Sequence, residues 1–443
     1  MKFAKKMEPV SSSDIRPKSS LARRRRIKNL FKIIGPGFIT GASDDDPSGI
    51  ATYSQSGARF GYTQLWTALF TTPFMIVIQE MCGRIGMVKG RGLALAIKER
   101  YGRKILFPIV LLLVIANTIN IGADLGAMAA SAQLIIGLPF IFLLIGMTIL
   151  TLVLEIFVSY KVYAKYLKYL ALSLFAYVIV VFIVKQDWNA IAVATFIPKI
   201  SFNQDYLMAI VAILGTTISP YLFFWQSNEE VEEEVADGKL KSMDHGTPKV
   251  TSIDIRRMRW DTIIGMIFSN LIMFFIIATA ASTLFANGIT NVETAEQAAL
   301  ALRPLAGNFA SLLFLIGIMG VGLLGVPVLA GSASYAVAEL FGWKSGLYRK
   351  FKAAHGFYGI ITLATLVGLL VNFLGIQSFT MLYYAAIING IVAPILMVAI
   401  VMLAGDKKTM GKFASPKVLS IAGWLITAFM AAAAGLLIYS LLT

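Results

Sequence analysis

Long, uninterrupted apolar runs set the pattern of this chain, most of them above the ~18 residues that a helix needs to cross a bilayer. They predict an all-α polytopic membrane protein and exclude the alternating strands of a β-barrel. Spans are placed at roughly 33–58, 64–85, 105–130, 139–157, 166–184, 206–228, 260–285, 306–338, 356–375, 379–403 and 416–441, about 11 in all. Two of them break their own pattern. Span one carries Asp44-Asp45-Asp46-Pro47-Ser48-Gly49, three carboxylates and a helix breaker in membrane-depth sequence. Span six carries Gly215-Thr216-Thr217-Ile218-Ser219-Pro220, again a Pro in mid-span behind small polar residues.

Those two spans each open a set of five. Breaks at matching positions predict two structural repeats, helices 1–5 and 6–10, inverted because each holds an odd number of helices. The boundaries follow: residues 1–28 form a disordered basic tail, 29–404 a transporter core (29–185 and 206–404), and 405–443 an accessory eleventh helix. The tail lacks an apolar stretch, so it is no secretory signal peptide.

Composition sharpens the class. Of 443 residues 57% are hydrophobic and 14% charged, far too apolar for a soluble chain. The net charge of +15 would suggest a polyanion partner if it were not so unevenly placed. Outside Arg59, Lys185, Lys199 and Arg303, every one of the 39 Lys and Arg residues falls on one side of the predicted spans. That is the positive-inside rule, and it predicts a multi-pass plasma-membrane protein with a cytoplasmic N-terminus and an extracellular or periplasmic C-terminus. No nucleic acid partner is implied; the lipid bilayer is a partner, and the chain is read as a monomer. One cysteine, Cys82, excludes a disulfide framework, and His245 and His355 lie in or beside loops, which removes a histidine zinc site from the spans. With no nucleophile–base pair or cofactor motif, an enzyme is not expected, nor any cofactor.

Charge at membrane depth is costly and marks function by default. The candidate site for a divalent-cation partner is Asp46, flanked by Asp44 and Asp45, with backbone carbonyls around the two breaks, the hydroxyls of Thr216 and Ser219, and the small residues Ser48 and Gly49. The carbonyl end of the incoming half-helix favours a cation there. All these donors are oxygens, which suits Mg²⁺, Ca²⁺ and Mn²⁺, and the small side chains leave room for a hydrated ion. Asn117, Asn120 and Asp124 form one polar stripe on span three, and Asp124, Tyr221, Glu229 and Glu230 are candidate pathway residues. Glu80 and Arg84, one helical turn apart, are read as a mutual pair rather than a site, and Glu155 as interfacial beside Lys161.

The motifs resemble the natural resistance-associated macrophage protein (Nramp) family of metal transporters. Gly35-Pro36-Gly37-Phe38, Asp46-Pro47 and Gly61-Tyr62 match its first helix; Gly83-Arg84 to Arg100-Tyr101 its second helix and loop; Asp124-Leu125 its third; and Gly215 to Pro220 its sixth. The resemblance implies the LeuT-type inverted repeat, helices 1 and 6 broken mid-membrane, and alternating access. It also exposes departures. The liganding Asn becomes Gly49, the sulfur-donating Met becomes Ser219, and the coordinating Ala falls at Thr216. The proton-linked His becomes Tyr221, the second acidic residue of helix three becomes Ala127, and the tenth-helix Gln becomes Asn389. These changes resemble the Nramp-related magnesium transporter branch and imply a transported ion of Mg²⁺, also Mn²⁺, without proton coupling. The alternatives are a proton-coupled Mn²⁺/Fe²⁺ importer typical of the family and an organic-solute symporter on the same fold.

Overall fold

The break expected at Asp46-Pro47 divides the first helix into α1 (Pro36–Asp44) and α2 (Pro47–Phe60). The computed structural model describes residues 35–158, 174–243 and 246–443. The helix stops at Asp45 (φ −82°, ψ 50°), passes through extended Asp46 (φ −68°, ψ 175°) and restarts at Pro47, whose missing N–H costs nothing in the first turn. After α2 come α3 (Trp66–Lys89), α4 (Leu93–Tyr101), α5 (Arg103–Ile136), α6 (Phe140–Phe157), α7 (Phe175–Ile183) and α8 (Trp188–Phe196).

Span six breaks in the same manner. Helix α9 (Gln204–Thr217) ends at Ile218 (φ −112°, ψ 58°), Ser219 is extended (φ −77°, ψ 133°), and α10 (Pro220–Ala236) begins on the proline. The two interruptions thus share one backbone sequence: a kinked residue, an extended residue, then Pro at the first helical position. The rest of the chain is α11 (Ser252–Thr283), α12 (Ala310–Phe341), α13 (His355–Val371), α14 (Ser378–Gly405) and α15 (Lys417–Leu442).

Among the described residues eight helices are long and apolar enough to span a membrane, or up to nine if α2 and α3, bent by 107° at Leu65, count as one. The expectation of 11 spans is therefore not met in that count. Much of the fifth predicted span lies outside the described residues, leaving the nine-residue α7. Span one cannot pass as a single helix, because its break leaves pieces of nine and 14 residues. Large apolar side chains such as Phe142, Ile149 and Phe157 on α6, and Leu425 and Leu442 on α15, point away from the bundle, as a lipid-facing surface requires.

Helix α11 packs along both α1 and α2, α5 against α12, α13 and α14, and α9 against α14. Small residues bring these backbones together. A Cβ on Gly37 would lie 2.6 Å from the Thr262 amide nitrogen, and one on Gly390 would strike Val211. Each half of span one is also tied down at its far end. Asp261 of α11 accepts the amides of Gly35 (2.9 Å) and Gly37 (2.7 Å), satisfying two of the N–H groups that open α1. On α2, Gln55 donates to Asn291 (2.9 Å) and accepts from the Val292 amide (2.6 Å).

The Glu80–Arg84 pair is present, and Arg259 of α11 joins it at 3.1 Å. Glu155 departs from expectation: it is buried on α6, both carboxylate oxygens lacking a hydrogen-bond partner among the described residues. Its supposed neighbour Lys161 lies outside the described residues, as do His245 and the 1–28 tail. Cys82 is buried as a free thiol.

Candidate functional site

Asp46 is the N-cap of α2, and that role fixes its side chain. Its Oδ1 accepts from the Gly49 amide (2.9 Å) and the Ser48 hydroxyl (2.6 Å), which meets donors that the first turn leaves open. Its Oδ2 turns the other way, toward Asn120 Nδ2 of α5 (3.2 Å) and Tyr221 Oη of α10 (3.1 Å). One carboxylate therefore joins the first broken helix to the second and to the third-span stripe. Asp46, Asn120 and Tyr221 are all buried.

Asp124 stands one helical turn from Asn120 on α5. It is buried, and neither carboxylate oxygen has a hydrogen-bond partner among the described residues. Gly325 of α12 separates it from Asp46: a Cβ there would sit 3.0 Å from Asp46 Cβ and 4.0 Å from Asp124 Oδ2. Asn117, next along the stripe, is structural, donating to the Leu329 carbonyl (2.9 Å) and Ser332 (2.8 Å).

The three aspartates do not share one ligand position. Asp44 and Asp45 face α11, where Ser269 Oγ donates to Asp44 Oδ2 (2.6 Å) and lies 3.4 Å from Asp45 Oδ1. Among the described residues, no three His, Cys, Asp or Glu side chains converge as an ion cage. A cation at the break would therefore need backbone carbonyls, hydroxyls or its own water as further ligands.

The second break supplies such groups. Ser48 and Thr216 hydroxyls meet at 3.3 Å across the gap, and Ser219 Oγ donates to the carbonyls of Thr216 (2.6 Å) and Gly215 (2.8 Å). The Thr216 carbonyl is thus already engaged. Gly49 is closely surrounded, since a Cβ would be 3.3 Å from the Asp44 carbonyl oxygen and Tyr53 Cε2 and 3.4 Å from Thr216 Oγ1, so the small residue leaves little free room for the hydrated ion the sequence suggested. Asn389 is buried on α14 with its amide oxygen and nitrogen lacking hydrogen-bond partners among the described residues. Glu229 and Glu230 lie apart from this group. Nine residues separate Glu230 from Tyr221 on the same helix, roughly 13 Å of rise.

Ser269 and Asp261 escaped the sequence reading. Ser269 was visible as half of a polar pair with Asn270 inside an apolar run, and Asp261 as an acid near the start of span seven. Neither announces its partner, because the contacts join residues more than 220 positions apart.

Removing the Tyr221 hydroxyl withdraws one of the two donors that aim Asp46 Oδ2. A hydrogen bond to a charged group is worth about 1.5–3 kcal/mol, so Tyr221→Phe is expected to raise the KM for the transported ion by about tenfold or more. An unchanged KM would show that this contact does not position the carboxylate.

Two interrupted helices back to back, a buried carboxylate at their junction and lipid-facing apolar flanks define a multi-pass transporter of the LeuT-type fold. The inward-facing structure of Mhp1 shares that fold over 91% of this chain and 90% of its own, at TM-score 0.54 and 13% identity. The Eremococcus coleocola manganese transporter, solved with an aromatic bis-isothiourea compound, superposes at TM-score 0.73 and 16% identity over 96% of this chain and 87% of its own. The sequence profile described as Natural resistance-associated macrophage protein-like matches residues 37–440, and the chain belongs to this Nramp family. The protein is a membrane transporter, not an enzyme. Among its relatives, the divalent metal cation transporter MntH of Deinococcus radiodurans is 25% identical over 94% of this chain and 92% of its own. MntH of Agrobacterium fabrum is 28% identical over 95% and 89%.

These relatives overturn the expectation of magnesium as the ion and of transport without protons. They fit the alternative, the proton-coupled Mn²⁺/Fe²⁺ importer, better. The physical reason is that an oxygen-only donor set does not discriminate: carboxylate, carbonyl and water ligands suit Mn²⁺ as well as Mg²⁺.

Proposed function

We propose that this chain imports Mn²⁺ across the plasma membrane by alternating access, together with protons. The observation that carries the reading is the position of Asp46, whose Oδ2 lies at the junction of both broken helices, with Asp124, whose carboxylate lacks a hydrogen-bond partner among the described residues, close behind it. Asp46 is the principal ligand. Ser48, Thr216, Ser219 and Asn389 line the pocket, and water completes the shell. Asp44 and Asp45 shape the field from the α11 side. Asp124 takes the place of a histidine as proton acceptor, since Tyr221 occupies that position.

The distribution of Lys and Arg supports a cytoplasmic N-terminus, so α1 opens toward the cytoplasm and α2 toward the exterior. The fifth span, the two five-helix repeats and α15 as an accessory helix belong to the same reading, which gives eleven spans. Gly49, Ser219 and Tyr221 align the pocket with the magnesium-related branch in sequence; its substrate is not carried over.

Proteoliposome uptake with a simultaneous internal pH readout tests the proposal. Saturable Mn²⁺ entry accompanied by acidification is the expected result. Mn²⁺ entry with no pH change would remove the proton, and no entry at all would remove the function.

A further inference from the structure

A second concave region lies beyond the start of α1, between it and the facing ends of α10 and α11; it is open to solvent, with a cavity volume of about 40 Å³. Its charge is lopsided. Glu230, Glu233 and Glu234 of α10, Asp237 just beyond, and Asp254 and Asp261 of α11 line it, against the cations Lys239 and Arg257. Several of these acids have other duties: Asp261 clasps the α1 amides, and Asp254 caps α11 through Thr251 and meets Lys239 at 3.1 Å. Glu230 accepts from Gln226 at 2.9 Å. Glu234 differs. It is 2% exposed and lines the cleft, and neither carboxylate oxygen has a hydrogen-bond partner among the described residues. A carboxylate taken out of water without donors either takes up a proton or is compensated by a cation, and a dication in the cleft would do the second.

We propose that this cleft is a second divalent-cation site, separate from the pocket at Asp46, holding a hydrated ion at Glu234 and Glu230. It rests on the reading of the chain as a divalent-cation transporter and extends it to the cytoplasmic side. The ion keeps its water shell, because no three carboxylates here converge as direct ligands among the described residues. Binding is therefore weak and general to hard dications, whether the ion arrives from the central pocket or from the cytoplasm. The site also bears on α1. Gly35 lies between two acids, since a Cβ on it would be 2.8 Å from Asp261 Oδ2 and 3.5 Å from Glu233 Oε2. An ion in the cleft competes with the α1 amides for the charge of Asp261 and loosens the inner end of that helix.

Purified full-length protein carrying Asp46→Ala isolates the cleft from the central pocket. Titrated with Mn²⁺ and followed by the EPR signal of the free ion, it is expected to retain saturable weak binding. Adding Glu230→Gln and Glu234→Gln should weaken that binding about tenfold or more, and Glu234→Gln alone should weaken it measurably. Mg²⁺ should displace the bound Mn²⁺. No binding to the Asp46→Ala protein, a change below about twofold in the triple variant, or failure of Mg²⁺ to compete in hundredfold excess would each overturn the site. Monodisperse elution of every variant keeps misfolding from imitating a lost site. Wild-type Mn²⁺ uptake, measured in parallel, reports on transport alone. Cleft binding without uptake sinks the functional reading, and uptake without cleft binding sinks only this inference.

Discussion

Asp46→Asn is expected to lower Mn²⁺ uptake by about a hundredfold or more while the protein keeps its fold. The two duties of this carboxylate make the experiment clean. As N-cap of α2 it accepts from the Gly49 amide and Ser48, and asparagine caps a helix about as well as aspartate. As a ligand it supplies the negative charge at the junction of the two breaks, which asparagine cannot. A lost charge–charge contact in a buried site is worth about 3 kcal/mol or more, which is two decades in affinity or rate. Asp46→Ala should abolish uptake too, with a further stability loss of about 1 kcal/mol from the missing cap. Uptake by the asparagine variant within a few fold of wild type would remove Asp46 as the ion's ligand.

Gly265→Val should be the most damaging substitution for the fold. At this position α11 meets α1 backbone to backbone: a Cβ on Gly265 would lie 2.9 Å from both the Gly37 carbonyl carbon and Phe38 Cα. The neighbouring atoms are main chain, so nothing can swing aside. Overpacking of this sort costs roughly 1–3 kcal/mol, and more where backbones must separate. The expected result is a lowered midpoint of thermal unfolding in detergent together with lost uptake. Gly146 on α6, with nothing within 4 Å of its would-be Cβ, serves as the control. Equal midpoints for the two valine variants would contradict the close approach of α1 and α11.

Much of the scaffold was readable because its causes are local. Pro47 and Pro220 end helices wherever they fall, and the apolar runs around them have one interpretation in length and hydropathy. The pairing of the breaks followed from their equal places in the two sets of spans. The candidate site was readable only as an inventory. Sequence grouped Asp44, Asp45 and Asp46 because they are adjacent, but adjacent residues at an interrupted helix face different neighbours. Asp46 joined α5 and α10, while Asp44 and Asp45 went to Ser269 of α11. Glu155 illustrates the reverse error, since closeness to Lys161 in sequence suggested the interface and packing of α6 buried it. The ion's identity was least legible, because oxygen ligands narrow the list of metals without choosing among them.

The clasps on α1 and α2 have a mechanical consequence. Gln55 holds one segment to the loop at Asn291 and Val292, Asp261 holds the other, and no continuous helix links the two across Asp45 and Asp46. Movement of one half is therefore taken up at the non-helical residues between them rather than passed on along a rigid rod. The molecule works as an airlock, able to unbolt either hatch while the opposite one stays shut, and so to pass its cargo without opening a leak down the ion gradients of the cell.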